Sequence, residues 1–181
     1  VDQLKKEGAK SLVFDVRSTY DGTIEYTCRV IDYLVPTATD GNKALATLVD
    51  KNGNNVKTYS SDAKDITMPM AVLINSDTAG YGELFACDLK DFGKAFLIGE
   101  KTAGRADVQE TFELSDGGAV VLTTSKMLPY ISESFDGKGL TPDTEIILAD
   151  SLRENLSTLE KERDTQLQAA ISMLAGNSSE G

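Results

Sequence analysis

Three short apolar runs constrain this chain more than any other feature. Residues 11–16, 70–74 and 95–98 (SLVFDV, MAVLI and AFLI) are rich in strand formers and show almost no polar alternation. A strand that reads apolar on both faces has to be covered on both faces. The stretches following the first two runs have helical period. In 22–34, Ile24, Cys28, Ile31 and Leu34 fall on one face and Pro36 stops the helix. In 79–92, Leu84, Ala86, Cys87 and Leu89 supply an apolar side. Buried strands alternating with helices predict an α/β layered domain with a largely parallel sheet.

Two further pairs of segments read as β-hairpins. Residues 45–49 and 56–59 are joined across Asn52-Gly53, and 108–114 and 119–124 across Ser115-Asp116-Gly117-Gly118. Residues 137–143 read as a loop. The C-terminal part reads as two helices, 149–162 and 164–174, with Asp164 as N-cap of the second. The chain of 181 residues is predicted to be one core domain over 1–175 with a disordered tail over 176–181. A domain of this size buries roughly 70% of its unfolded surface. The opening residues 1–10 read as a helix running straight into a strand, so the expectation is an N-terminally truncated piece of a longer protein.

Charge and composition remove several functions. The net charge of −11 opposes nucleic acid, whose binding depends on Lys and Arg displacing counterions. No apolar run is long enough to span a bilayer, so membrane association would need an N-terminal anchor outside this sequence. There is no histidine, which excludes Ser-His-Asp and Cys-His catalysis and every His-based zinc site. Two cysteines, Cys28 and Cys87, cannot build a Cys-rich metal site. They read as buried thiols, with a disulfide between them left open. No metal and no cofactor is expected.

The most specific segments are 75–84 (NSDTAGYGEL) and 99–109 (GEKTAGRADVQ). With residues 15–22 (DVRSTYDG), the 114–117 turn (LSDG), the 137–143 loop (GKGLTPD) and 164–170 (DTQLQAA), they resemble the carboxyl-terminal processing peptidases, or tail-specific proteases, in order and spacing. The resemblance covers nearly the whole chain. It implies the Clp protease/crotonase-like α/β fold, a serine-type peptidase family, export to the bacterial envelope or beyond, and a peptide-binding PDZ domain normally preceding this region.

The same resemblance places a nucleophilic serine at position 80 and a general-base lysine at 105. This chain has Gly80 and Arg105 there. Glycine offers no hydroxyl, and a guanidinium stays protonated and cannot accept the proton. Gln109 matches the residue that orients the lysine. Backbone donors for an oxyanion map to Tyr81 and to Asp21 or Gly22. Asp21 replaces a glycine, and its carboxylate would oppose a developing oxyanion unless it pairs with Arg105, which is one expectation. The implied function is a catalytically inactive member that binds extended peptide or polypeptide C-termini. The alternatives are an active serine-type endopeptidase with its nucleophile moved, Thr78, Ser76 and Cys87 being candidates and Lys101 and Lys94 the nearby amines, or an engineered inactive form of one.

Overall fold

The structure is a computed structural model that describes residues 1–36, 44–61 and 66–177. Its elements in order are α1 (Asp2–Lys6), β1 (Leu12–Asp15), α2 (Ile24–Leu34), β2 (Ala44–Val49), β3 (Asn55–Ser60), β4 (Met70–Ile74), α3 (Tyr81–Asp91), β5 (Ala95–Gly99), β6 (Asp107–Glu113), β7 (Ala119–Leu128), β8 (Thr144–Glu145), α4 (Asp150–Arg153) and α5 (Thr165–Asn177).

The three apolar runs, with the two-residue β8 at the edge, form the parallel sheet, in the order β1-β4-β5-β8. All five residues of β4 are buried, because its two faces meet different cores. Met70, Val72 and Ile74 point into a large cluster with Ile24, Ile31 and Leu84 of α2 and α3. Ala71 and Leu73, with Ile98 of β5, pack against Ala170 and Leu174 of α5. This coverage on both faces is what the absence of polar alternation required.

The two hairpins do not stand alone. β2 pairs with β7, so they merge into a second, antiparallel sheet of order β3-β2-β7-β6. Leu45, Ala46, Leu48 and Met127 carry the large core into it. The first hairpin turn is closed by the Asp50 carboxylate, which accepts the N–H groups of Asn52 and Asn54 at 2.8 and 2.9 Å.

Two C-terminal expectations are corrected. Residues 149–162 are not one helix. α4 is four residues long, and two single 3₁₀ turns follow. None of the three has a buried residue to anchor it, and Asn155 and Thr158 bond backbone carbonyls locally with their side chains, a competition that disfavours helix. α5 then runs through Asn177, so positions 176 and 177 continue the helix rather than begin a tail. The rest of the expected tail, 178–181, lies outside the described residues. Asp164 does cap α5, accepting the Leu167 N–H at 3.0 Å. Cys28 and Cys87 are buried and free, with no disulfide.

Candidate active-site cleft

Three loops leave the carboxyl ends of β1, β4 and β5, where parallel sheets place their sites. They are laced together by short contacts. Ser18, in the left-handed region at φ 56°, donates its N–H to Asn75 Oδ1 at 2.8 Å. Ala79 N–H reaches the Thr19 carbonyl at 2.9 Å, and Ala103 N–H the Thr78 carbonyl at 3.0 Å. The Thr78 hydroxyl is buried, donates to the Val16 carbonyl at 2.9 Å and accepts the Asn75 N–H at 3.0 Å.

Gly80 sits at the turn from β4 into α3 with φ 57° and ψ −113°. This is a strained elbow of the kind that lifts a residue out at the top of a sheet. Glycine adopts it freely. A Cβ built there would meet nothing closer than the carbonyls of Arg105 and Tyr20, both at 3.8 Å, so the elbow has room for a side chain.

Glu83 joins the two decisive positions. Its carboxylate is completely buried and takes four donors. Oε2 accepts the N–H groups of Gly80 at 3.0 Å and Arg105 at 2.8 Å. Oε1 accepts Gly104 N–H at 2.7 Å and the Thr102 hydroxyl at 2.5 Å. Thr102 in turn accepts the Leu140 N–H at 2.7 Å, tying in the 137–143 loop. A buried carboxylate persists when its lone pairs are filled in this way. A Glu three residues after a helix start is the capping-box spacing, so the signal for this clamp was present in the sequence.

All six residues singled out from the sequence, Asp21, Gly22, Gly80, Tyr81, Arg105 and Gln109, line one cleft of about 450 Å³. Tyr20, Asp107, Thr111 and Val121 complete its wall. Asp107 and Thr111 were missed by sequence reasoning, although they flank Gln109 on either side at the two-residue period of a strand. A second space of about 480 Å³ shares Gly22, Tyr81 and Gln109 with the cleft and runs on past Glu25, Lys57 and Glu110.

The contacts of the residues named from the sequence are as follows. Asp21 and Arg105 share the cleft but form no ion pair among the described residues. The Asp21 carboxylate instead accepts the neighbouring Gly22 N–H at 2.7 Å, one of the donors assigned to an oxyanion. Gln109 makes no hydrogen bond to Arg105; it faces the cleft from β6. Thr78 does not line the cleft, and its hydroxyl is hydrogen-bonded within the loop frame. Cys87 is buried in α3 and burial, with help from Asp91 and Asp88, pushes its thiol up to about 12. Neither Ser76, Lys94 nor Lys101 lines the cleft. Lys57, in the adjoining groove, lies 3.3 Å from Glu25 and over the Tyr59 ring at 4.4 Å. Burial, then the charges of Glu25 and Asp21, raise the Tyr81 phenol above its ordinary value.

Residues 1–146 match peptidase family S41. The chain belongs to that family. Among curated S41 relatives it is similar to a carboxyl-terminal-processing protease of Picosynechococcus, with 30% identity over 96% of this chain and 40% of that protein. It is 32% identical to the chloroplastic carboxyl-terminal-processing peptidase 1 of Arabidopsis thaliana, over 86% of this chain and 31% of that one. Among solved structures, the photosystem II D1 C-terminal processing protease matches with a TM-score of 0.69 at 29% identity, covering 80% of this chain and 36% of that chain. The chain thus spans less than half the length of these S41 relatives. The two-sheet α/β architecture described above is that of S41 protease domains.

Proposed function

We propose that this S41 domain keeps the cleft of a C-terminal processing protease but holds an extended peptide in it without cutting. The observation that carries this reading is the wall of the cleft. The elbow residue is Gly80, the residue hydrogen-bonded to the same Glu83 oxygen is Arg105, and no lysine, serine, cysteine or histidine is among the lining residues. Hydrolysis by a Ser-Lys pair needs a hydroxyl to attack and an amine able to lose its proton; a guanidinium cannot serve. The Asp21 carboxylate on the Gly22 N–H also fills part of the space where negative charge would develop.

The same wall favours peptide binding. β6 is one of the two outer strands of the antiparallel sheet, and an outer strand offers unpaired backbone groups to an extended chain. Arg105 makes no side-chain ion pair among the described residues and can present a planar fork to a terminal carboxylate. An exported location, in the bacterial envelope or outside the cell, is part of this proposal, and its relatives are bacterial and chloroplastic.

The test is a prolonged incubation with an unstructured protein. The expected result is no fragments, with fragments returning in a variant carrying Gly80→Ser, Arg105→Lys and Asp21→Gly together. Cleavage by the unaltered chain that disappears on Thr78→Ala or Ser76→Ala overturns the proposal. Binding of a carboxylate-terminated peptide should weaken by about tenfold in Arg105→Ala, the size of one charge-assisted contact.

A further inference from the structure

The charges around the cleft say more about its occupant than the loss of chemistry does. One guanidinium, Arg105, faces two carboxylates, Asp21 and Asp107, within a single cavity of about 450 Å³. Among the described residues none of the three side chains forms a close ion pair; Lys126 stands across the strand pair from Asp107 and feels its charge, but its ammonium is held by Asp136, and Asp21 bonds only the neutral Gly22 N–H. In the adjoining groove Lys57 is engaged by Glu25, so Glu110 adds a further uncompensated negative charge. The whole chain is acidic as well, at −11. A partly enclosed cleft with such a lining focuses a negative potential.

Resting on the peptide-holding reading above, we infer that the occupant is a polypeptide C-terminus carrying a lysine or arginine within its last three residues. Its terminal carboxylate meets Arg105 and its basic side chain meets Asp107 and Asp21. The spacing supports this pairing. Asp107 lies two residues from Arg105 and opens β6, so their backbones are at most about 7 Å apart. An extended ligand running beside β6 repeats with the same period, which brings a side chain near its terminus level with Asp107. A neutral side chain there would leave the carboxylates unpaired beside a bound chain that excludes water, and an acidic one would add like-charge repulsion. The negative environment is already felt by Tyr81, whose phenol is raised by burial and then by Glu25 and Asp21.

The test uses the full chain and three fluorescent octapeptides with free C-termini, identical except for Lys, Met or Glu at the penultimate position. At about 50 mM salt the Lys peptide should bind about 5–10-fold more tightly than the Met peptide, and the Glu peptide more weakly than both. At about 0.5 M salt the Lys advantage should fall below about twofold, as screening requires. Asp107→Asn and Asp21→Asn should each reduce the Lys-to-Met ratio by about threefold, and the double variant should bring it to unity. Equal binding of the three peptides, or a Lys preference that survives in the double variant, overturns the inference and leaves peptide holding intact. Failure of all three to bind overturns both.

Discussion

The sharpest residue-scale feature is the φ of 57° at Gly80. A Cβ has space there, so the cost of adding one is the backbone strain alone, about 1–3 kcal/mol. Gly80→Ala should therefore fold normally and lower the unfolding free energy from a urea titration by that amount. Gly99→Ala provides the contrast. Its Cβ would sit 2.0 Å from the Ile74 carbonyl, between paired parallel strands, and that variant should yield no soluble folded protein. The positions of the site were legible because they hang on spacing along the chain. The roles of individual side chains were less so. The expected Asp21–Arg105 pair fails because Asp21 turns to the adjacent Gly22 N–H. The Thr78 hydroxyl donates to the carbonyl of Val16, 62 positions away in sequence. Contacts of that range leave no periodic trace.

Among the elements, α3 carries the most tension. Asp88, in its buried face, is fully enclosed; Oδ1 accepts the Tyr130 N–H at 3.0 Å and Oδ2 has no partner among the described residues. Burial drives this carboxyl well above its ordinary 3.8, the Tyr130 N–H opposes the rise, and the Asp91 charge adds to it. A group whose folded value is raised gives its full stabilisation below the unfolded value and loses it as pH rises through the folded one. Stability from this site should thus decline upward from about pH 4. Asp88→Asn removes the titration and should raise the melting temperature at pH 8 relative to pH 5 by about 2–4 °C, or about 1 kcal/mol for a domain of this size. A thermal-melting series across pH 4–8 checks it; an unchanged slope in the variant counts against it. The core helices were readable because their apolar residues recur at helical spacing. The 149–162 segment departs from its helical pattern because its leucines are only half-buried and none is anchored in the core.

For the whole molecule, one arginine connects the beginning and the end of the chain. The Arg17 side chain is only 4% exposed. Its Nη2 bonds Asp15 at 2.5 Å and Asp164 at 2.7 Å, Nη1 reaches Gln166 at 2.9 Å, and Nε returns to Asp15 at 2.9 Å. Burial alone would raise the Asp164 carboxyl, but Arg17 and the Leu167 N–H hold it below its ordinary value. Its contribution is therefore present above about pH 4 and disappears as acid protonates it, opposite in sign to Asp88. Arg17→Ala strands a buried carboxylate and should cost about 3–5 kcal/mol in a denaturant titration. Removing everything after residue 163 should do more, because Ala71, Leu73 and Ile98 lose their cover; the truncated protein should bind a hydrophobic dye. The parallel sheet was readable from three apolar runs, whereas the union of the two hairpins through β2 and β7 depends on a pairing some 80 residues apart that no local pattern encodes. The Glu83 clamp has a consequence at this scale too. Three of its four donors are main-chain groups, so it grips positions 80 and 105 without regard to what they carry. Both side chains can therefore be exchanged while the frame that fixes the two backbones stays intact.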